Sequence, residues 1–220
     1  MRSILPICLS FALVACGAIP AGRDAPRAPG AAARPTAADL RPEMRQCVTE
    51  LDRSGARFAP LPDRYYGAGC STLGSVRIEG IGGDRGQFAV SNLGAVSCPL
   101  ANSFAAWARY GVDRAARQTF GSPLARIETM GSYSCRTVAG SNRMSAHARA
   151  EAIDVSAFVL ADGTRISVAN GWQASARERA FLRTVHESAC KRFGTVLGPD
   201  YNAAHRDHLH LESGGRGYCR

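Results

Sequence analysis

Four of the five histidines fall in two short segments. One runs from Ser145 through His147 to Asp154, and the other holds His205, His208 and His210. The fifth, His186, sits mid-helix and reads as a surface or half-buried residue. Side chains of a strand alternate faces with period two. Over Ala152–Ala157, Asp154 and Ser156 then share a face, while Ile153 and Val155 point the other way. Over His208–Glu212, the residues His208, His210 and Glu212 share a face, and Leu209 and Leu211 point away. As neighbours, the two strands set Asp154 against the histidines, and a loop brings His147 back over the same place. Two histidines and one carboxylate are a common hydrolytic zinc set, with water in the fourth position. Zinc lowers the pKa of that water towards about 7 and polarises a scissile carbonyl. A further histidine within hydrogen-bond reach serves as general base. The chain has no HExxH motif, so it is not a helix-based zincin. Buried histidines paired to carboxylates for structure fit the same residue types, so spacing alone leaves both readings open.

The elements that must position these residues follow from periodicity and punctuation. Pro42 to Arg53 predicts a helix, with Met44, Cys47, Val48 and Leu51 on one face. Gly67 to Gly86 is glycine-rich, with a short strand at Ser75–Glu79. Pro99 to Phe120 predicts one long helix, with Pro99 in its first turn and Gly121 as its stop. Its stripe of Leu100, Phe104, Trp107 and Ala108 reads as core. Strands are expected at Ile127–Tyr133, Ala152–Val159 and Arg165–Val168, the last two joined by the Asp162-Gly163 turn. A second helix is expected from Ala176 to Phe193, with Phe181, Leu182, Val185 and Ala189 inward and Gly194 as cap. Thr195–Leu197 and His208–Leu211 are short strands. This mixture predicts an α+β domain: a small antiparallel sheet carrying the site, flanked by helices and stabilised by disulfides.

The chain has 220 residues, enough for one large domain or one domain with extras. Its mean hydropathy of −0.13 is too polar for a polytopic membrane protein. The net charge is +9, but only Lys191 of the 27 Lys+Arg is a lysine. No nucleic-acid-binding motif accompanies this arginine bias, so no nucleic-acid partner is expected. Residues 1–15 carry Arg2 and then an apolar run from Ile4 to Ala15. That run is too short to span a bilayer of roughly 30 Å, and fits a signal peptide. It ends Leu13-Val14-Ala15-Cys16, which resembles a bacterial lipobox and implies a lipidated Cys16 as the anchor. An ordinary cleavage with Cys16 incidental is the competing reading. Gly17 rather than an aspartate after the cysteine leans, by the same resemblance, towards the outer membrane. Residues 16–38 are rich in Ala, Pro and Gly. Pro20, Pro26, Pro29 and Pro35 prevent a continuous helix there, so the segment reads as a tether. The domain is expected over 39–220.

Cys8 falls in the signal peptide and Cys16 is the lipidation candidate. Cys47, Cys70, Cys98, Cys135, Cys190 and Cys219 remain, an even set that predicts three disulfides in an exported domain. Six cysteines allow 15 pairings, of which the sequential one is expected: Cys47–Cys70, Cys98–Cys135 and Cys190–Cys219. No CxxC pair is present to favour a cysteine metal site.

The pattern SxHxxxxxxD followed by HxH resembles the metal signature of the LAS metallopeptidases. These comprise lysostaphin-type endopeptidases, D-Ala-D-Ala carboxypeptidases and penicillin-insensitive murein endopeptidases. The spacing of His205, His208 and His210 looks particularly like the murein endopeptidases. The region from about Cys47 to Glu212 resembles the bacterial extensin-like C-terminal domain family. The matching stretches are GSYSCR (Gly131–Arg136), SAHARAEAIDVSAF (Ser145–Phe158), FLRTVHESAC (Phe181–Cys190) and TVLGPDYNAAHRDHLHLE (Thr195–Glu212). The serine–proline repeats of plant wall extensins do not occur. The resemblance implies that His147, Asp154 and His210 hold one zinc ion. It implies His208 as base or transition-state stabiliser, with His205 as a second candidate. Arg136 would stabilise an oxyanion or bind a substrate carboxylate, a role suited to its planar donors. Ser145 would hydrogen-bond substrate. One departure stands out: Ala150 occupies the place of the glycine in the carboxypeptidase pattern SxHxxGxAxD. A methyl is tolerable there unless the position needs a positive φ.

Two function classes follow. The leading expectation is a zinc-dependent peptidase acting on peptidoglycan stem peptides or cross-links in the cell envelope. It would be exported, periplasmic and lipid-anchored, with peptidoglycan and the membrane as partners. The alternative is a non-catalytic wall-binding or structural envelope lipoprotein that retains the metal site, its positive charge drawing anionic polymers. Neither reading indicates an oligomeric state.

Overall fold

The computed structural model describes residues 40–214 and 217–220. The expected signal peptide, Cys16 and the tether at 16–38 lie outside the described residues. Among these residues no helix is long and apolar enough to cross a membrane.

Helix α1 covers Pro42–Arg53, with proline in its first turn, and buries Met44 and Leu51. Strands β1 (Arg57–Pro60), β2 (Tyr65–Gly67), β3 (Cys70–Ser71), β4 (Ser75–Gly82), β5 (Gln87–Ser91) and β6 (Ala95–Ser97) follow. Next come α2 (Cys98–Trp107), a π-helical turn at Ala108–Asp113 and α3 (Arg114–Phe120). The chain continues through β7 (Leu124–Gly131), β8 (Ala152–Leu160), β9 (Arg165–Ser167), the short α4 (Val168–Gly171) and α5 (Ala176–Cys190). It closes with β10 (Thr195–Leu197), β11 (Leu209–Glu212) and β12 (Tyr218–Cys219).

The main sheet is larger than expected and is not purely antiparallel. It has ten strands, in the order β1-β4-β5-β7-β8-β11-β10-β12, with β6 beside β4 and β9 beside β8. The pairs β5–β7 and β10–β12 are parallel. A helical crossover explains the first: α2 and α3 carry the chain from one end of the sheet back to the other between β5 and β7. Strands β2 and β3 form a separate hairpin.

The long helix is continuous from Cys98 to Phe120 but widens into the π turn. Gly111 lies in that turn, where a Cβ would collide with Ser188 Oγ of α5. The glycine therefore permits a close approach of the two helices. Gly121 ends α3 with φ +74°, as a left-handed stop. Helix α5 stops at Cys190, three residues before the expected end, with Lys191 as its cap. Phe193 leaves the helix and turns into the core, edge-on to Trp107 with ring centroids 6.0 Å apart. Gly194 is no helix cap; its N–H donates to the Glu212 carbonyl at 3.0 Å and starts β10.

Ile127, Ile153, Val155, Phe158, Leu209 and Leu211 belong to one buried cluster with residues of α2, α3 and α5. Trp107 is its centre: it touches Phe104, Phe158 and Phe193, and its Nε1–H donates to the Val185 carbonyl at 2.9 Å. The register of β8 against β7 skips Ser156, a bulge. That extra residue returns Phe158 and Leu160 to the same buried face as Ile153 and Val155, so strict alternation holds only up to Val155.

All six domain cysteines are bridged, but two of three expected pairings are wrong. The disulfides are Cys47–Cys98, Cys70–Cys135 and Cys190–Cys219. Sequential pairing fails because α1 packs on α2 rather than on the β2–β3 hairpin. Asn102 of α2 reaches across to the Cys47 carbonyl at 3.1 Å, beside the first bridge. Only the C-terminal pair, which staples β12 to α5, joins sequence neighbours.

Candidate metal centre

Strands β8 and β11 are antiparallel neighbours, and His210 lies directly opposite Asp154 in their register. Their apolar residues face the helices, so Asp154, His210 and Glu212 emerge on the other face. His147 arrives on a 3₁₀ turn at Ala146–Arg149. Ser145 caps that turn, its hydroxyl accepting the His147 N–H at 3.3 Å. The turn is left through Ala150, which has φ +56° and is fully buried. The position does require a positive φ, so alanine there carries strain of roughly 1–2 kcal/mol that glycine would avoid.

Three ligand-type atoms converge. Asp154 Oδ1 lies 2.7 Å from His210 Nδ1, and Asp154 Oδ2 lies 3.1 Å from His147 Nε2. The two histidine nitrogens are 3.2 Å apart. Ligand atoms about 2.1 Å from a tetrahedral zinc ion sit roughly 3.4 Å from one another, close to this spacing. Each ring is oriented from behind. His147 Nδ1–H donates to the Ser132 carbonyl at 2.5 Å, leaving Nε2 to face the cluster. His210 Nε2–H donates to Glu212 Oε1 at 2.8 Å, leaving Nδ1 to face it. A carbonyl or carboxylate behind each imidazole is the usual support of a metal-binding histidine. With both rings neutral, the lone pairs of two nitrogens and a carboxylate point at one place, an arrangement that either a proton on His210 or a cation relieves. The donor set therefore fits a zinc ion.

Electrostatics agree. Burial opposes ionisation of Asp154, yet hydrogen bonds from His147 and His210 hold its carboxyl well below the usual range. Burial also opposes protonation of His210, but its bonds to Asp154 and Glu212 prevail and raise it to about 9. A proton thus occupies His210 at neutral pH where no cation does.

The remaining residues expected at the site gather around this trio. His208 precedes β11 rather than lying in it. Its Nδ1–H donates to Asp207 at 2.8 Å, and its Nε2 stands 3.6 Å from Asp154 Oδ1. His205 ends the 3₁₀ turn Ala203–His205 and donates through Nδ1 to Asn202 Oδ1 at 2.7 Å. Burial, with the neighbouring His208 and His210 rings, pushes His205 down to about 4. Arg136, Ser145, His205 and His208 all line one cleft of about 480 Å³, together with Asp154 and His210. His186 does not line this cleft: half-buried, it lies edge-on to Trp172. It forms a second cluster with Cys190 and Cys219, but those two sulfurs are joined in a disulfide and are not available as thiolates.

Residue patterns missed several neighbours. Period two puts Glu212 on the face of His210, and that shared face is the signal for its role behind the ring. Asp207 and Asn202 orient His208 and His205 from adjacent positions. Arg143, Tyr201 and Tyr218 also line the cleft, and nothing in their local sequence marked them.

A mixed sheet covered on one face by helices, with a histidine–aspartate cluster on the other, defines a disulfide-bridged α+β domain with a candidate metal centre. Residues 45–220 match the model of the extensin-like protein C-terminus, and the chain belongs to that family. No curated protein and no solved structure matches the chain.

Proposed function

We propose that the protein is a zinc-dependent peptidase acting on peptidoglycan stem peptides or cross-links, exported and anchored to the envelope through Cys16. The observation that carries this reading is the convergence of His147, Asp154 and His210 at the wall of a cleft that His208 also lines. The resemblance of SxHxxxxxxD and HxH to the LAS metallopeptidases, and the lipobox-like Leu13–Cys16, point the same way. His147 Nε2, Asp154 and His210 Nδ1 would hold the ion. When bound, zinc supplies a Lewis acid that polarises a carbonyl and acidifies water.

The chain's own groups supply the rest. Asp207 holds the Nδ1 proton of His208, so the bare Nε2 of His208 faces the cleft as proton acceptor and later donor. His205, held neutral down to about pH 4, accepts a hydrogen bond but is too weak a base to replace it. The Arg136 guanidinium, exposed on the cleft wall, offers planar donors to a developing oxyanion. Ser145 has its acceptor engaged by the His147 N–H, so its hydroxyl proton is free for substrate.

The decisive experiment pairs metal analysis with a muropeptide digest. The purified domain is expected to contain about one zinc per chain and to release peptidoglycan fragments, with both lost after chelation and regained on adding zinc. Protein without zinc, or full activity after chelation, would sink the reading. Zinc affinity itself should depend on Glu212. Glu212→Gln weakens the support behind His210, and a loss of about 10- to 100-fold in affinity is expected. Chelator competition measures it. Because zinc must displace the proton that His210 holds up to about pH 9, wild-type affinity should fall as pH drops through neutrality.

A further inference from the structure

The bridge between Cys190 and Cys219 stands beside His186, the histidine that takes no part in the cleft. His186 and Cys190 are four residues apart on α5, a spacing that puts both side chains on one helix face. His186 Nδ1 lies 3.9 Å from Cys190 Sγ. With Cys219 included, the three ligand-type atoms fall within 4.8 Å of one another. The imidazole is oriented as the rings of the cleft are. Its Nε2–H donates to the Arg220 backbone oxygen at 3.3 Å, which turns the Nδ1 lone pair towards the sulfur. His147 and His210 likewise have one nitrogen bonded from behind and the other presented. Burial disfavours protonation of His186, so the lone pair stays available at neutral pH. A bridged sulfur has no proton to give it.

The backbone holds Cys219 in place independently of the bridge. Strand β12 runs parallel to β10, with Cys219 opposite Val196. The Tyr218 N–H donates to the Gly194 carbonyl at 3.0 Å, and the Arg220 N–H to the Val196 carbonyl at 2.9 Å. The Gly198 N–H donates to the Arg220 backbone oxygen at 2.8 Å. These bonds keep Cys219 beside α5 when the sulfurs part. A tetrahedral zinc ion with Zn–S of about 2.3 Å sets two sulfurs roughly 3.8 Å apart. Side-chain rotation reaches that spacing over Cα atoms 5.7 Å apart. Neither Cys190 nor Cys219 is fully buried, whereas Cys98 and Cys70 of the other two bridges are. A reductant therefore meets both sulfurs of this bridge more readily.

We propose that His186, Cys190 and Cys219 form a second metal site, closed by the disulfide and opened to zinc by a dithiol. The disulfide is the resting form in an oxidising compartment. Opening is a thiolate–disulfide exchange: two electrons pass from the dithiol to the bridge, the dithiol becomes a disulfide, and Cys190 and Cys219 become thiols. Zinc takes both as thiolates, and their two protons go to water. His186 Nδ1 is the third ligand, and water fills the fourth position. The site lies outside the cleft and does not rest on the peptidase reading.

The test compares oxidised protein with protein treated with a water-soluble phosphine, alkylation mapping which bridge has opened. Reduction should add about one zinc per chain over the oxidised form, so that any ion in the cleft cancels from the difference. Cobalt in place of zinc should give a sulfur-to-metal charge-transfer absorption only after reduction, because the cleft cluster contains no sulfur. Cys190→Ser/Cys219→Ser keeps the other four domain cysteines and should show neither the added zinc nor the absorption. His186→Ala should weaken the added zinc by more than the roughly 10- to 100-fold typical of losing a supporting contact. No added zinc on reduction, or undiminished affinity in His186→Ala, overturns the proposal. So does a cobalt absorption that persists in Cys190→Ser/Cys219→Ser. Loss of the fold on reduction, read by circular dichroism, also overturns it, because the site needs β12 to keep its place.

Discussion

Asp154→Ala is expected to lose zinc and to reduce muropeptide release by at least about a thousandfold, while the domain stays folded. Asp154 touches every member of the cluster: His147 at 3.1 Å, His210 at 2.7 Å and His208 at 3.6 Å. No other carboxylate replaces it, because Glu212 meets His210 from behind, through Nε2. The loss of Lewis-acid stabilisation is worth several kcal/mol, and about 4 kcal/mol is a thousandfold. Stability should fall far less. The His210 ring loses one partner but remains bonded to Glu212, and burial then favours its neutral form. An unmet buried acceptor, here Nδ1 of the neutral ring, costs about 1–3 kcal/mol. Metal analysis, fragment release and thermal melting read the three quantities separately. Undiminished zinc and activity in this variant would remove Asp154 from the site.

Removing the Cys70–Cys135 bridge is expected to be the most damaging change away from the cluster. The bridge spans 65 residues, and loop closure of that length is worth about 4 kcal/mol. For a domain of this size the melting temperature should drop by about 10 °C in Cys70→Ser/Cys135→Ser. The effect should also reach the cleft. The β2–β3 hairpin is too small to stand alone. It rests on the bridge, on the Tyr66–Tyr133 ring contact at 5.3 Å, and on the approach of Gly69 to Met144. Cys135 immediately precedes Arg136, whose carbonyl accepts the Ser145 N–H at 3.1 Å. Freeing Cys135 therefore loosens Arg136 and the entry to the His147 turn together, and kcat/KM should fall with stability. Melting curves, kinetics and non-reducing peptide mapping test this. A map showing Cys47–Cys70 and Cys98–Cys135 would contradict the packing of α1 on α2.

Much of the site was legible because it is encoded locally. Alternation over Ala152–Val155 and Leu209–Glu212 assigns Ile153, Val155, Leu209 and Leu211 to the core face and Asp154, His210 and Glu212 to the other, and the strands carry it out. Helix α1 begins at its proline and α3 ends at its glycine for equally local reasons. Ser156 shows where such reasoning stops. Its bulge depends on the register with β7, a strand some thirty residues earlier, and no pattern within β8 announces it.

By itself the sequence determined the residue types of the cluster, the faces of its two strands, the even set of domain cysteines and the α+β mixture. These rest on backbone sterics and periodicity, which act over a few neighbouring residues. The tertiary structure decided what meets what. It made the sheet ten-stranded and mixed, exchanged two disulfide partners, and held Ala150 at φ +56°. It also placed the Ser132 carbonyl and Glu212 behind the two imidazoles and brought Arg136 and Arg143 to the same cleft. Those outcomes depend on which strands and helices pack side by side, and burial of the shared core around Trp107 selects that arrangement for the chain as a whole.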